Sequence, residues 1–137
     1  MKKVVVKNQE ELQKHVLTTV EHDFKSYEQK VMFKLLEISQ KALLGEDLKP
    51  VLLTAKSRGY TKITIPLQEF TDAIGTDDLN IIKDTLEGVH ETKFEYDTED
   101  FWKGLRFIES PKIEKEEGIV SLEVSKEVWK ALASFKK

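Results

Sequence analysis

Four cations stand in one stretch of the chain with no acid among them: Lys49, Lys56, Arg58 and Lys62, all within Lys49–Gln68. Such a run suits contact with a polyanion, because lysine and arginine neutralise phosphates and release their counterions. It is a chemistry of holding, not of bond making. The block that follows has the opposite character: residues 69–100 carry eleven Asp/Glu against only Lys83 and Lys93. Residues 1–62 carry twelve Lys/Arg against eight Asp/Glu, and residues 101–137 eight against six, so a net charge of −3 conceals a strong asymmetry. A polyanion is attracted to the first segment and repelled by the second.

Bond-making chemistry finds little support. His15 and His22 are seven residues apart and could share a helix face, but no third ligand accompanies them, and they read as surface histidines. There is no cysteine, which excludes disulfides and thiolate metal sites. The six glycines are scattered and form no phosphate loop. The carboxylates read as solvated faces. No enzyme activity, metal or cofactor is therefore expected.

A chain of 137 residues with 39% hydrophobic and 34% charged residues fits one globular domain over residues 1–137. The N-terminal MKKVVVKNQEEL lacks a sustained apolar segment, so neither a signal peptide nor a membrane span is expected, and the expected location is the cytoplasm.

The elements that must position the cations can be read from spacing. Asn8 with Glu11 forms a capping-box start, and Leu12, Val16 and Val20 mark the buried stripe of a first helix. Ser26 with Gln29 starts a second, whose apolar face runs through Val31, Met32, Leu35, Leu36, Ile38, Ala42 and Leu43 to a stop at Gly45. Val51-Leu52-Leu53 reads as a short strand, Lys56-Ser57-Arg58-Gly59 as an exposed loop, and Thr61–Ile65 as a strand. PLQEFTDAIG is a helix that begins at a proline and leaves at Gly75. Thr76 or Asp77 caps the next helix, with Leu79, Ile82, Leu86 and Val89 buried. Residues 92–97, Trp102–Ser110 and Ile119–Val124 are three strands, and Ser125 caps a last helix with Val128, Leu132 and Phe135 on one side and Lys136-Lys137 at its negative end. A strand, two helices and an antiparallel hairpin in that order make a winged helix. The fold class is α+β: a winged helix-turn-helix with two leading helices, a small antiparallel sheet and a C-terminal helix.

Three stretches, YEQKVMFKLLEIS, YTKITIPLQEFTDAIG and LRFIESPKIEKEEGIVSLEVSKEVWKAL, resemble the iteron-binding plasmid replication initiator (Rep) proteins from Ser26 to Leu132. The resemblance implies two winged-helix domains in tandem. The first mediates dimerisation and touches the DNA backbone, and the second reads the repeated iterons. This sequence looks like the first. The resemblance further implies plasmid origin DNA, a homodimer and host replication proteins as partners. It also implies iteron binding as monomers and self-repression as dimers. Rolling-circle initiators, which nick DNA with a tyrosine beside a His-x-His pair, are excluded because no His-x-His is present.

The residues themselves narrow the reading. The helix over residues 77–90 exposes Asp77, Asp78, Asn80, Lys83, Asp84 and Glu87, and two aspartates at its N-terminus make it a poor base reader. The hairpin tip Lys112–Gly118 has two lysines against three glutamates, poor for a phosphate grip. Gly118 suits a turn with positive φ, and Ser110-Pro111 marks an edge or bulge. Val120, Leu122 and Val124 face the core, with Ser121, Glu123 and Ser125 outward. The candidates for backbone contact are Lys49, Lys56, Arg58, Lys62, Lys103 and Arg106, which position DNA without reading it. Phe33, Phe70, Phe94, Phe107 and Trp129 are expected in the core. Phe101 and Trp102 follow a charged turn and are candidates for a dimer contact. The alternatives are a winged-helix protein-interaction domain or a transcriptional repressor without its own base-reading helix.

Overall fold

The computed structural model describes residues 4–134. In chain order the elements are β1 (Val5–Val6), α1 (Gln9–Thr18), α2 (Ser26–Leu43), β2 (Leu52–Ala55), β3 (Thr61–Pro66), α3 (Leu67–Ile74), α4 (Leu79–Glu91), β4 (Lys93–Asp97), β5 (Trp102–Arg106), β6 (Glu109–Glu114), β7 (Ile119–Val124) and α5 (Lys126–Ser134). The winged helix is the set β3, α3, α4 and the β6–β7 hairpin, with α2 packed on α3 and α4. Helices α1 and α2 also pack on α5.

Helix ends follow local chemistry. Asn8 caps α1, its Oδ1 accepting the Glu11 N–H at 2.9 Å, and Leu12, Val16 and Val20 are buried as their spacing predicts. Beyond α1 the chain continues as a π turn over Thr19–Asp23, closed by the Phe24 N–H donating to the Thr19 carbonyl at 3.0 Å. The start of α2 is one residue earlier than the Ser26–Gln29 spacing implies. Lys25 is the cap residue, and its N–H donates to Glu28 Oε1 at 2.9 Å. Gln29 instead donates to the Val20 carbonyl at 2.9 Å, tying α2 to the π turn. At the other end Gly45, at φ 72°, lets its own N–H reach the Ala42 carbonyl and that of Glu46 reach the Lys41 carbonyl. The cap of α4 is Asp78 rather than Thr76 or Asp77. Its Oδ1 accepts the Asn80 N–H at 2.9 Å, while the Thr76 hydroxyl accepts the Asp78 N–H.

The sheets depart most from expectation. The single strand predicted over Trp102–Ser110 is two strands in two sheets: β5 in the sheet β1-β4-β5, and β6 in the sheet β2-β3-β7-β6. The first sheet is mixed, since β1 runs parallel to β4; the second is antiparallel throughout. Phe107 and Ile108 give the reason. They are consecutive and both fully buried. Neighbours on one strand face opposite sides of its sheet, so both reach the core where the chain passes from one sheet to the other.

Burial corrects four further expectations. Phe70, Phe94 and Phe107 are buried and Trp129 packs partly against the core, but Phe33 is 53% exposed, as is Leu43 at the end of the same helix to 69%. Val31, Met32, Leu35 and Ile38 already complete the packed face of α2, which leaves Phe33 off it. Val120, Leu122 and Val124 face the core, yet Ser121 and Ser125 are buried as well. Ser121 lies in register between Thr64 and Lys112, and Ser125 Oγ accepts the Val128 N–H to cap α5. The predicted roles of Phe135, Lys136 and Lys137 fall outside the described residues.

One polar tie joins α2 to α3. The Lys34 ammonium meets Glu69 at 2.9 Å and Glu37 at 3.4 Å. Burial pulls its pKa down, but the hydrogen bond with Glu69 and the charges of Glu37 and Glu69 outweigh this and hold it above the usual lysine value.

Candidate nucleic-acid interface

Lys49, Lys56, Arg58 and Lys62 lie along the β2–β3 hairpin. Lys49 precedes β2, and Lys56 enters a 3-10 turn over Ser57–Gly59, its N–H closing the hairpin on the Tyr60 carbonyl at 2.7 Å. Arg58 is in that turn, and its side chain lies outside the described set. Lys62 is on β3, on the face opposite the buried Ile63 and Ile65. Lys49 and Lys56 are exposed and Lys62 half-exposed. With roughly 3.3 Å per strand residue, Lys49 and Lys56 mark opposite ends of the hairpin, spread along an edge.

The sheet brings acids to a segment that has none of its own. Lys62 faces Thr54 on β2 and Glu123 on β7, and Glu123 in turn faces Glu109 on β6. Only the register of the sheet reveals that neighbour.

Lys103 and Arg106 are placed differently from the others. Both are on β5, outside the wing. The Lys103 ammonium forms an ion pair with the Glu127 carboxylate, whose residue is only 5% exposed, and lies 5.5 Å from the Phe101 ring centre. Arg106 donates from Nη1 to the His90 carbonyl at 2.7 Å, which satisfies the C-terminal turn of α4 with a cation. Both side chains are engaged within the fold, whereas Lys49, Lys56 and Lys62 present their charges at the surface. Glu127, the buried partner of Lys103, carries no signal in the sequence beyond its place in the first turn of α5.

Helix α4 exposes Asp77, Asp78, Asn80, Lys83, Asp84 and Glu87 at its start and outer face. The wing tip is similarly mixed: Lys112 pairs with Glu114 at 3.2 Å, and Gly118 takes φ 66° in the turn. Ser110 adopts φ 48° before Pro111 on β6, an edge strand as Ser110-Pro111 allowed, and the β6–β7 register shifts there between Glu109 and Lys112.

Phe101 and Trp102 stand at the start of β5, the outer strand of its sheet, and are 45% and 60% exposed. Phe101 stacks on Tyr96, with ring centres 5.6 Å apart and planes at 7°. Burial, assisted by the Glu127 charge, raises the Tyr96 phenol above its usual value.

Of the two histidines expected at the surface, His15 is instead half-buried. His15 packs edge-on against Phe94 and Phe107, with its Nδ1 3.4 Å from Thr19 Oγ1, and burial lowers its pKa despite the opposing charge of Asp23. His22 is exposed beside Glu21. Among the described residues no group of three His, Asp or Glu is placed to hold a metal ion, and no helix is long and apolar enough to cross a membrane.

Comparison with known proteins fits this geometry. The family model described as "Initiator Replication protein, WH1" matches residues 11–137. Among solved structures, the WH1 domain of MSBI1.176, a replication protein isolated from a multiple sclerosis patient, superposes with a TM-score of 0.56 at 14% identity, covering 91% of this chain and 95% of that one. At that identity the likeness speaks for the fold alone. No curated protein matches the chain.

Proposed function

The chain belongs to the initiator replication protein family, of which it carries the non-catalytic WH1 domain, and from that premise we propose that it pairs with a second copy and holds the DNA backbone at a plasmid origin without reading bases. The observation that carries this reading is the division of charge across the winged helix. The helix that would enter a groove is led in by Asp77 and Asp78, the second of which caps it, while Lys49, Lys56 and Lys62 offer cations along the β2–β3 hairpin. Contacts of that kind fix orientation and carry no sequence information. Base reading then falls to the second winged helix that the family resemblance implies.

For dimerisation, the support is the outer strand β5 with Phe101 and Trp102 at its exposed start. An open strand edge beside exposed aromatics is suited to meeting a second copy. Sedimentation equilibrium tests this: the wild-type chain should dimerise in the micromolar range, and Trp102→Asp should shift it to monomer. A monomeric wild type, or a dimer indifferent to Trp102→Asp, would overturn that contact.

A further inference from the structure

The geometry points to the groove between α4 and the wing as a docking site for a short acidic, apolar peptide segment of a partner protein. The groove has a volume of about 410 Å³ and is floored by Leu79, Leu86, Pro111 and Ile113. Lys83 from α4 and Lys112 and Lys115 from the wing stand on its rim, against one lining acid, Glu87. The sequence separates these lysines by some thirty residues of acidic chain, and only the fold gathers them. Lys112 already meets Glu114; Lys83 and Lys115 have no ion-pair partner among the described residues.

The apolar floor selects a peptide over a duplex. Phosphates gain nothing from it, whereas an amphipathic segment seats its apolar side chains there and sets its carboxylates against the lysines. The volume lies within the range of ordinary ligand pockets, enough for two or three apolar side chains.

The test is fluorescence anisotropy of the 137-residue chain with a dye-labelled peptide of roughly twelve residues that interleaves Leu and Phe with Asp and Glu. Two controls accompany it, one with serine for every apolar residue and one with lysine for every acid. The acidic apolar peptide should bind saturably, at least about tenfold tighter than either control. The surface double variant Lys83→Glu with Lys115→Glu should lose about tenfold in affinity while its circular dichroism stays unchanged. Absence of saturable binding, equal binding of the serine control, or an unchanged affinity in the double variant each overturns the proposal. So does displacement of the peptide by an equal concentration of short duplex, which would give the groove to DNA.

Discussion

Lys62 stands directly opposite Glu123 across the β3–β7 ladder. A carboxylate on the neighbouring strand sits within reach of the most central cation of the hairpin, and it competes with any phosphate for that charge. Glu123→Gln should therefore raise affinity for an arbitrary duplex by about threefold at low salt, the gain fading as salt rises. Chemical denaturation should move by no more than about 1 kcal/mol, the scale of a cross-strand pair. An affinity unchanged at low salt would show that Lys62 does not face DNA.

Lys103 behaves as part of the fold. Its partner Glu127 is buried, so removing the ammonium leaves a carboxylate without a counter-ion. Lys103→Met should cost about 3 kcal/mol in urea denaturation, and adding Glu127→Leu should recover most of it, because an apolar pair needs no desolvation. The salt dependence of DNA binding should stay as in the wild type. A shallower slope with little loss of stability would instead make Lys103 a phosphate contact.

His15 makes stability depend on mildly acid pH. Burial lowers its folded pKa below the usual 6.5, so the unfolded chain binds the extra proton first. Stability is then greatest above 6.5 and falls as pH drops from there to the folded value, by at most about 1.4 kcal/mol per pH unit. Glu37 adds a later loss. Burial raises its pKa, but Lys34 and Lys41 hold it below its usual 4.5, so its contribution disappears only as pH falls through that lower range. Denaturation midpoints between pH 7.5 and 5.5 should shift in the wild type and much less in His15→Gln; equal shifts in both would remove His15 as the cause.

Gly88 is held by its neighbour on α2. A Cβ built there would come within 1.9 Å of Glu28 Oε2, whose other oxygen accepts the Lys25 N–H at the start of α2. In the wild type Gly88→Ala sets a helix-propensity gain against the displaced cap, and little net change is expected. In a Glu28→Ala background the same substitution should stabilise by about 1 kcal/mol. Equal effects in the two backgrounds would show that the carboxylate moves aside freely.

The fold was legible in the sequence wherever one face of an element was buried. Leu12, Val16 and Val20, or Val120, Leu122 and Val124, follow periodicities that packing respects. Legibility failed where neighbours in sequence were both buried. Phe107 and Ile108 hide a passage between sheets inside what scans as one strand, and this moved Lys103 and Arg106 off the wing. Caps at Lys25 and Asp78 slipped by one or two residues because several polar residues in a row could each serve. The candidate interface was half visible: the cation run can be counted in the chain, but Glu123 beside Lys62, Glu127 beneath Lys103 and the meeting of Lys83 with the wing lysines depend on register and packing.

The most direct measurement is the salt dependence of affinity for two duplexes of unrelated sequence, made with the wild type and with Lys49, Lys56 and Lys62 all changed to glutamine. Both duplexes should bind with equal affinity, with a log–log slope about three units shallower in the triple variant. A preference for one sequence, or a slope the triple variant leaves unchanged, would contradict sequence-blind contact through these lysines.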